Sequence, residues 1–367
     1  MNVDGVPTRT VRAFPDEGWI EIIDQTGLPH DLRWVRVDTL DGAVHAIRGM
    51  QVRGAPLIGA TAAYGLAIAM GSDASDSGLR QAVSALAATR PTAVNLGWAL
   101  HRMQARLDPL PAAARAAAAW AEAEAIADED VAANREIGRH GLDLLRRLRP
   151  GGDRPLGIMT HCNAGWLATV DHGTALSAVY AAWDAGLPLH VWVSETRPRN
   201  QGLLTAWELA QHGVPHTAVA DNTAGVLIQG GEVDAVIVGA DRVAANGDVA
   251  NKVGTYLKAL ACSDSGIPFY VAAPRSSVDL QCPSGAAIPI EQRDGEELRV
   301  VHGVDAGGRP SALRQLPAGE AVGNPAFDIT PARLVSAIIT ECGIYPATPD
   351  GLQTLGQAGT QLGKERT

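Results

Sequence analysis

Aromatic side chains are scarce in this chain, at 4% of its residues, so aliphatic groups must fill its cores. A basic excess is missing as well. The 40 Asp and Glu outnumber the 30 Lys and Arg, and the net charge of -10 argues against general attraction to nucleic acid or an anionic membrane. Any anion it binds must meet a local cluster of cations. No apolar run approaches the roughly 20 residues that span a bilayer, and the first 15 residues have no basic-then-apolar leader pattern. A cytoplasmic enzyme is expected. The 4 cysteines, Cys162, Cys262, Cys282 and Cys342, form no C-x-x-C pair, which removes a zinc ribbon or a disulfide framework from consideration. The scattered His and Cys give no metal-ligand spacing either. No G-x-G-x-x-G follows a strand pattern. Asn251-Lys252-Val253 is not a Walker loop, which needs Gly before its Lys and Ser or Thr after it. Neither a metal nor a nucleotide cofactor is therefore expected.

What is present is a folded composition, 46% apolar and 19% charged, over 367 residues, long enough to bury two cores. Residues 10–14, 19–23 and 32–37 read as short strands bounded by Pro, Gly and Asp, followed by a helical pattern up to about residue 149 that includes the Ala-rich stretch 112–128. Arg149-Pro150-Gly151-Gly152-Asp153-Arg154-Pro155 punctuates the end of a long helix and is the expected domain boundary. Beyond it, apolar runs at 156–160, 189–194, 217–220, 233–239 and 269–273 alternate with helical stretches at 174–185, 203–212 and 252–262. The expected architecture is α/β. A domain over 1–150, with a small β entry and helices, precedes a Rossmann-like parallel-sheet domain over 151–350. A frayed tail over 351–367 would follow.

Open parallel sheets bind ligands at the carboxyl ends of their strands, so the strand ends are where chemistry is expected. The first is Thr160-His161-Cys162-Asn163-Ala164-Gly165, which brings a thiol to the cleft mouth, though a cysteine there can also be an inert packing residue. The second, Glu195-Thr196-Arg197-Pro198-Arg199-Asn200-Gln201-Gly202, is polar enough for phosphate and hydroxyl groups, or is a solvated loop. The third, Asp221-Asn222-Thr223-Ala224-Gly225, reads equally well as a helix cap. At the fourth, an almost wholly apolar run delivers Asp241-Arg242. Burial would keep that carboxyl protonated as a general acid, unless it merely pairs with Arg242. Asn251 and Lys252 follow on the same edge, leading into a helix. In the N-terminal half, Arg53-Gly54-Ala55-Pro56 and Arg90-Pro91-Thr92-Ala93 each put an arginine just before a helix start, as an anion site or as ordinary helix entry.

Together these segments resemble the methylthioribose-1-phosphate isomerases, which share a fold superfamily with regulatory subunits of the guanine-exchange factor for translation initiation. The resemblance runs over about residues 18–346 and includes Val52-Arg53-Gly54-Ala55-Pro56, Arg90 to Leu96, His161 to Gly165, Glu195 to Gly202, Gly239-Ala240-Asp241-Arg242, Asn251-Lys252 and Asn324-Pro325-Ala326-Phe327-Asp328. It implies an aldose-to-ketose isomerase of a 5-substituted ribose 1-phosphate in methionine salvage, acting as a homodimer. It further implies Cys162 and Asp241 as the catalytic pair and Arg53, Gly54, Arg90, Gln201, Asn251 and Lys252 as substrate ligands. 5-Deoxyribose 1-phosphate and ribose 1,5-bisphosphate are the rival substrates, and a non-catalytic sugar-phosphate or nucleotide sensor is the rival class. The Gly-rich stretch 294–320 departs from the family pattern and reads as a lid or surface insertion, or as a change at the 5-position pocket.

Overall fold

The computed structural model describes residues 1–90, 93–148, 150 and 153–364. A short ribbon, β1 (Asn2–Val3) and β2 (Val6–Pro7), leads into an antiparallel sheet of β3 (Val11–Phe14), β4 (Trp19–Asp24) and β5 (Arg33–Val37). Side chains alternate across it as a period of two requires: Ile20 and Ile22 face the core opposite Ala13, Val11 and Val37, while Arg12, Glu21 and Arg36 line up on the other side.

Five helices follow: α1 (Leu40–Arg48), α2 (Ala55–Ser72), α3 (Asp76–Ala87), α4 (Val94–Leu107) and α5 (Ala112–Leu145). By length and composition α2 is apolar enough to cross a membrane, but 13 of its 18 residues are buried by its neighbours. It is the hub of the first core, with Leu57, Leu66 and Met70 packed among Leu86, Leu96 and Met103. The small residues of α5 let it approach closely on two sides. Its first half puts Ala119, Ala123 and Ile126 into that core, and its second half puts Ile137 and Leu145 into the next one. One core therefore gives way to the other within α5. Of the boundary expected at 149–155, Arg149, Gly151 and Gly152 lie outside the described residues.

The second half alternates strand and helix: β6 (Leu156–Thr160), α6 (Ala175–Asp184), β7 (Leu189–Ser194), α7 (Gln201–Gln211), β8 (His216–Val219), α8 (Thr223–Gln229) and β9 (Ala235–Val238). A meander of β10 (Arg242–Ala244) and β11 (Val249–Lys252) comes next, then α9 (Thr255–Ser265), β12 (Phe269–Ala272) and β13 (Val278–Asp279). Residues 294–320 form α10 (Glu296–Arg299) and an antiparallel hairpin of β14 (Val300–Val304) and β15 (Pro310–Arg314). The last elements are β16 (Phe327–Thr330), β17 (Ala337–Thr340), β18 (Gly343–Tyr345) and α11 (Pro349–Lys364).

The main sheet has the order β18-β17-β12-β9-β6-β7-β8, parallel except for the β18 edge. Numbered by appearance, its six parallel strands run 3-2-1-4-5-6, the doubly wound order that opens a crevice where the winding reverses, here between β6 and β9. Both faces are covered, so the strands are continuously apolar: Ile158, Ala235 and Ile237 face the α5–α6 side, while Met159, Val236 and Val238 face α8, α9 and α11.

Two expectations need correction. Lys252 lies on β11, not in a helix. Asn251 and Lys252 pair with Asp328 and Phe327 of β16, and the helix starts only after Gly254, whose φ of 101° makes the turn. The segment from 351 is not frayed throughout. It is helical to Lys364, with Leu352 and Leu355 fully buried one turn apart, and only 365–367 lie outside the described residues.

Candidate active site

The eight residues singled out in the sequence, Arg53, Gly54, Arg90, Cys162, Gln201, Asp241, Asn251 and Lys252, line one cleft of about 150 Å³. It opens at the crevice between β6 and β9, with Cys162 two residues past β6 and Asp241 three residues past β9. Pro91 and Thr92, quoted with Arg90, lie outside the described residues.

Gly54 caps α2 with φ 90° and ψ 135°. A Cβ there would lie 2.3 Å from the carbonyl oxygen of Ala168, so only glycine lets the start of α2 pass this close to the loop after β6. Its neighbour Arg53 is held across that contact: Nη1 donates to Asn163 Oδ1 at 2.6 Å and Nη2 to the Asn163 carbonyl at 2.8 Å. Asn163 in turn donates to Glu208 Oε1 at 3.0 Å, and Glu208 also accepts the Leu167 N–H at 3.1 Å. Glu208 is fully buried, and burial pushes its carboxyl up to about 8 despite these donors and the Arg53 charge. Gly165 makes room for it, because a Cβ there would sit on the carboxylate.

Cys162 has φ 65°, a left-handed value unusual for a residue with a Cβ. Its N–H donates to Thr196 Oγ1 at 2.8 Å and its carbonyl accepts from Thr205 Oγ1 at 2.8 Å. His161 beneath it is fully buried and donates through Nε2 to the Val253 carbonyl at 2.8 Å. Burial, then the nearby Lys258 charge, pushes it down to about 3, which keeps the ring neutral.

Burial raises the Asp241 carboxyl above its ordinary range, against the pull of Lys252, Arg90 and Arg53. Arg242, the partner the sequence offered, pairs with Asp279 at 3.4 Å. Burial also lowers Lys252, which is offset by Cys162 and Asp241, and its ammonium lies 4.8 Å from the centre of the Phe327 ring. Asn251, which lines the cleft, donates from Nδ2 to Thr255 Oγ1 at 3.0 Å. Gln201, 8% exposed, has Oε1 buried with no hydrogen-bond partner.

Sequence reading missed three contributors. Arg293 lines the cleft, and Arg199, quoted only within its loop, lines it too. Both reach Glu297 Oε1 on α10, Arg199 at 2.9 Å and Arg293 at 3.2 Å, so the base of the 294–320 segment is tied to the cleft rim while its hairpin stands exposed. Nothing in the local pattern around Arg293 marks it. Glu208 could have been found, because it falls on the same helical stripe as Gln201, Leu204 and Thr205, a buried face where an acid needs a reason. Among the described residues no group of three His, Cys, Asp or Glu is placed to hold a metal.

A model of the initiation factor 2 subunit family matches residues 51–347. A methylthioribose-1-phosphate isomerase from Dechloromonas aromatica (strain RCB) is 72% identical over 97% of this chain and 98% of its own length. The crystal structure of 5-methylthioribose 1-phosphate isomerase from Pyrococcus horikoshii OT3 superimposes with a TM-score of 0.83 at 39% identity, covering 96% of each chain. The translation initiation factor eIF-2B delta subunit from A. fulgidus gives 0.78 at 38% identity, over 95% of this chain and all of that one. The chain belongs to the initiation factor 2 subunit family and, within it, to the methylthioribose-1-phosphate isomerases.

Proposed function

We propose that this chain converts 5-methylthioribose 1-phosphate to 5-methylthioribulose 1-phosphate, an aldose-ketose isomerisation in methionine salvage. The observation that carries the reading is the convergence of a thiol and a buried carboxyl, from the two strand ends flanking the crevice, on a cleft lined by Arg53, Arg90 and Lys252. The names of the relatives at high identity support the same substrate.

Phosphate on C1 locks the sugar ring, so the enzyme must open it by acid catalysis rather than wait for a free aldehyde. Asp241, whose hold on its proton burial strengthens, gives that proton to the ring oxygen as the C1–O bond breaks. Cys162 takes the C2 hydrogen as a proton and returns it to C1, while the C2 hydroxyl proton goes back to Asp241 as C2 becomes a carbonyl. Every group ends as it began, and each such proton transfer is typically worth about a hundred- to ten-thousand-fold. Arg53, the free amides of α2 beyond Gly54, Arg90 and Lys252 bind the phosphate, and Gln201 and Asn251 bind the hydroxyls.

The setting that goes with this reading is a cytoplasmic homodimer acting on a small molecule, without a nucleic-acid or membrane partner and without a cofactor. The chain is divided functionally into an N-terminal part, up to about 150, that brings Arg53, Gly54 and Arg90, and a Rossmann-like part that brings the acid, the thiol and Lys252. The test is turnover of 5-methylthioribose 1-phosphate, 5-deoxyribose 1-phosphate and ribose 1,5-bisphosphate side by side, with the Cys162→Ser and Asp241→Asn variants. Both variants lose nearly all turnover. A Cys262→Ser control stays active, because that thiol is 1% exposed in the α9 core and burial pushes it up to about 12. Equal turnover of a rival sugar phosphate would reassign the substrate.

A further inference from the structure

One carboxylate at the strand ends has no part in the reaction above. Asp221 follows β8, and its position suggests a cap for α8, but the structure gives the cap position to Asn222, whose side chain makes no cap bond. Asp221 turns instead toward the loop after β7. It accepts from Ser194 Oγ, from the Thr196 N–H at 2.8 Å and from the Arg197 N–H at 2.7 Å. Thr196 is therefore fixed at both ends, because its hydroxyl donates to the Ser194 carbonyl at 2.9 Å. That same hydroxyl accepts the N–H of Cys162 at 2.8 Å.

The backbone conformations explain why such bracing is needed. Cys162 and Thr196 have φ of 65° and 67°, left-handed values that an L-residue adopts only at a steric cost. Such residues persist where surrounding bonds impose them, and here the two strained residues hold each other through one hydrogen bond. Asp221 anchors the pair from outside. Burial works against its charge, but the donors from Ser194, Arg197 and Thr196 outweigh that and hold it below the usual carboxylate range. The buried Lys258, 2% exposed, adds a cation nearby.

We propose that Asp221 is a positioning residue for Cys162: it fixes the Ser194–Arg197 turn so that the Thr196 hydroxyl holds the Cys162 amide, and with it the thiol, in place at the cleft. This rests on the isomerase reading of Cys162. The chain of contact is Asp221 to Thr196 to Cys162, spanning three of the four strand ends.

The experiment compares Asp221→Asn, Thr196→Val, Thr196→Ser, the Asp221→Asn/Thr196→Val double variant and Cys162→Ser in the full chain, each checked for folding by circular dichroism. Asp221→Asn and Thr196→Val each lower kcat by about 10-fold or more while KM moves by less than about 3-fold, because the thiol is misplaced and the phosphate anchors are intact. Thr196→Ser keeps most of kcat, since its hydroxyl survives. The double variant is no worse than the poorer single, because both changes cut one chain. Additive losses, or unchanged kcat in folded Asp221→Asn and Thr196→Val, overturn the proposal. If Asp221→Asn fails to fold, Thr196→Val, which trades a hydroxyl for a methyl of similar shape, decides alone. Wild-type turnover in Cys162→Ser would instead overturn the isomerase chemistry. Loss in Cys162→Ser with unchanged kcat in the other two refutes the positioning role only.

Discussion

Replacing Glu208 with Gln should remove a measurable slope from the protein's stability against pH. Glu208 is fully buried, and burial raises its carboxyl from the ordinary 4.5 to about 8. The folded chain thus holds this proton more tightly than the unfolded chain. Its contribution to stability is fully present below about pH 4.5 and is lost as pH rises toward about 8, because the unfolded state ionises first. Each pH unit inside that window is worth about 1.4 kcal/mol, and the curve flattens near the upper end, so wild type loses roughly 2 kcal/mol through this group between pH 6 and pH 8. The Gln variant has no proton to lose. Urea unfolding of both proteins at pH 6, 7 and 8 should show the variant gaining on wild type by about that amount over the two units. The offset between them at any one pH is not diagnostic, since the Gln amide brings a donor into a site already supplied with donors by Asn163 and Leu167. The change of the offset with pH is. A constant difference from pH 6 to pH 8 would mean that Glu208 is ionised throughout, and that Asn163, Leu167 and Arg53 hold it as a carboxylate.

Arg53→Ala should raise KM about 10- to 100-fold through loss of a charge-assisted phosphate contact, and lower the melting temperature because Asn163 loses two donors. Unchanged kinetics would make Arg53 a structural tie only. Gly54→Ala should destabilise the chain by more than about 2 kcal/mol, since φ 90° and a Cβ 2.3 Å from backbone oxygen force α2 away from the loop after β6. A folded Ala variant with wild-type KM and stability would refute that close approach. In a pH profile, the loss of activity at high pH caused by ionisation of Asp241 should lie higher in kcat than in kcat/KM, because bound phosphate offsets the cations that hold the acid down. Coincident limbs would separate the phosphate from the acid. Activity should survive exhaustive chelation; restoration of a lost activity by one divalent metal would require a different chemistry.

Where the candidate cleft depends on a local pattern, the sequence carried it plainly. An apolar run ending in Asp241 and a small-residue turn after β6 are properties of a few consecutive residues, and both ended where a doubly wound sheet opens its crevice. Lys252 was misplaced because the residues around it suit a helix locally. Their strand state comes from register with β16, 75 to 77 residues further along the chain, where Lys252 pairs with Phe327 and Asn251 with Asp328. Asp221 suffered the same way: Asp-Asn-Thr has cap chemistry, but stronger donors on the neighbouring loop claimed the carboxylate. The C-terminal helix was hidden by Gly351, Gly356 and Gly363, which lower helix propensity, while the burial of Leu352 and Leu355 that offsets them is a tertiary matter.

The proposed acid and the proposed phosphate anchors of this site belong to one electrostatic unit. A buried carboxyl prefers its proton, but Lys252, Arg90 and Arg53 all pull Asp241 toward the charged form, so the free site is the less favourable setting for an acid. The same three cations line the cleft in which the substrate's phosphate is proposed to sit. A phosphate dianion that pairs with them cancels their pull and adds its own negative charge, and both effects strengthen Asp241's hold on its proton. Water leaves the cleft at the same moment, which raises the cost of a bare carboxylate further. Binding energy drawn from the phosphate, a group that takes no part in the bond changes at the ring oxygen, is thereby converted into the protonation state that ring opening requires.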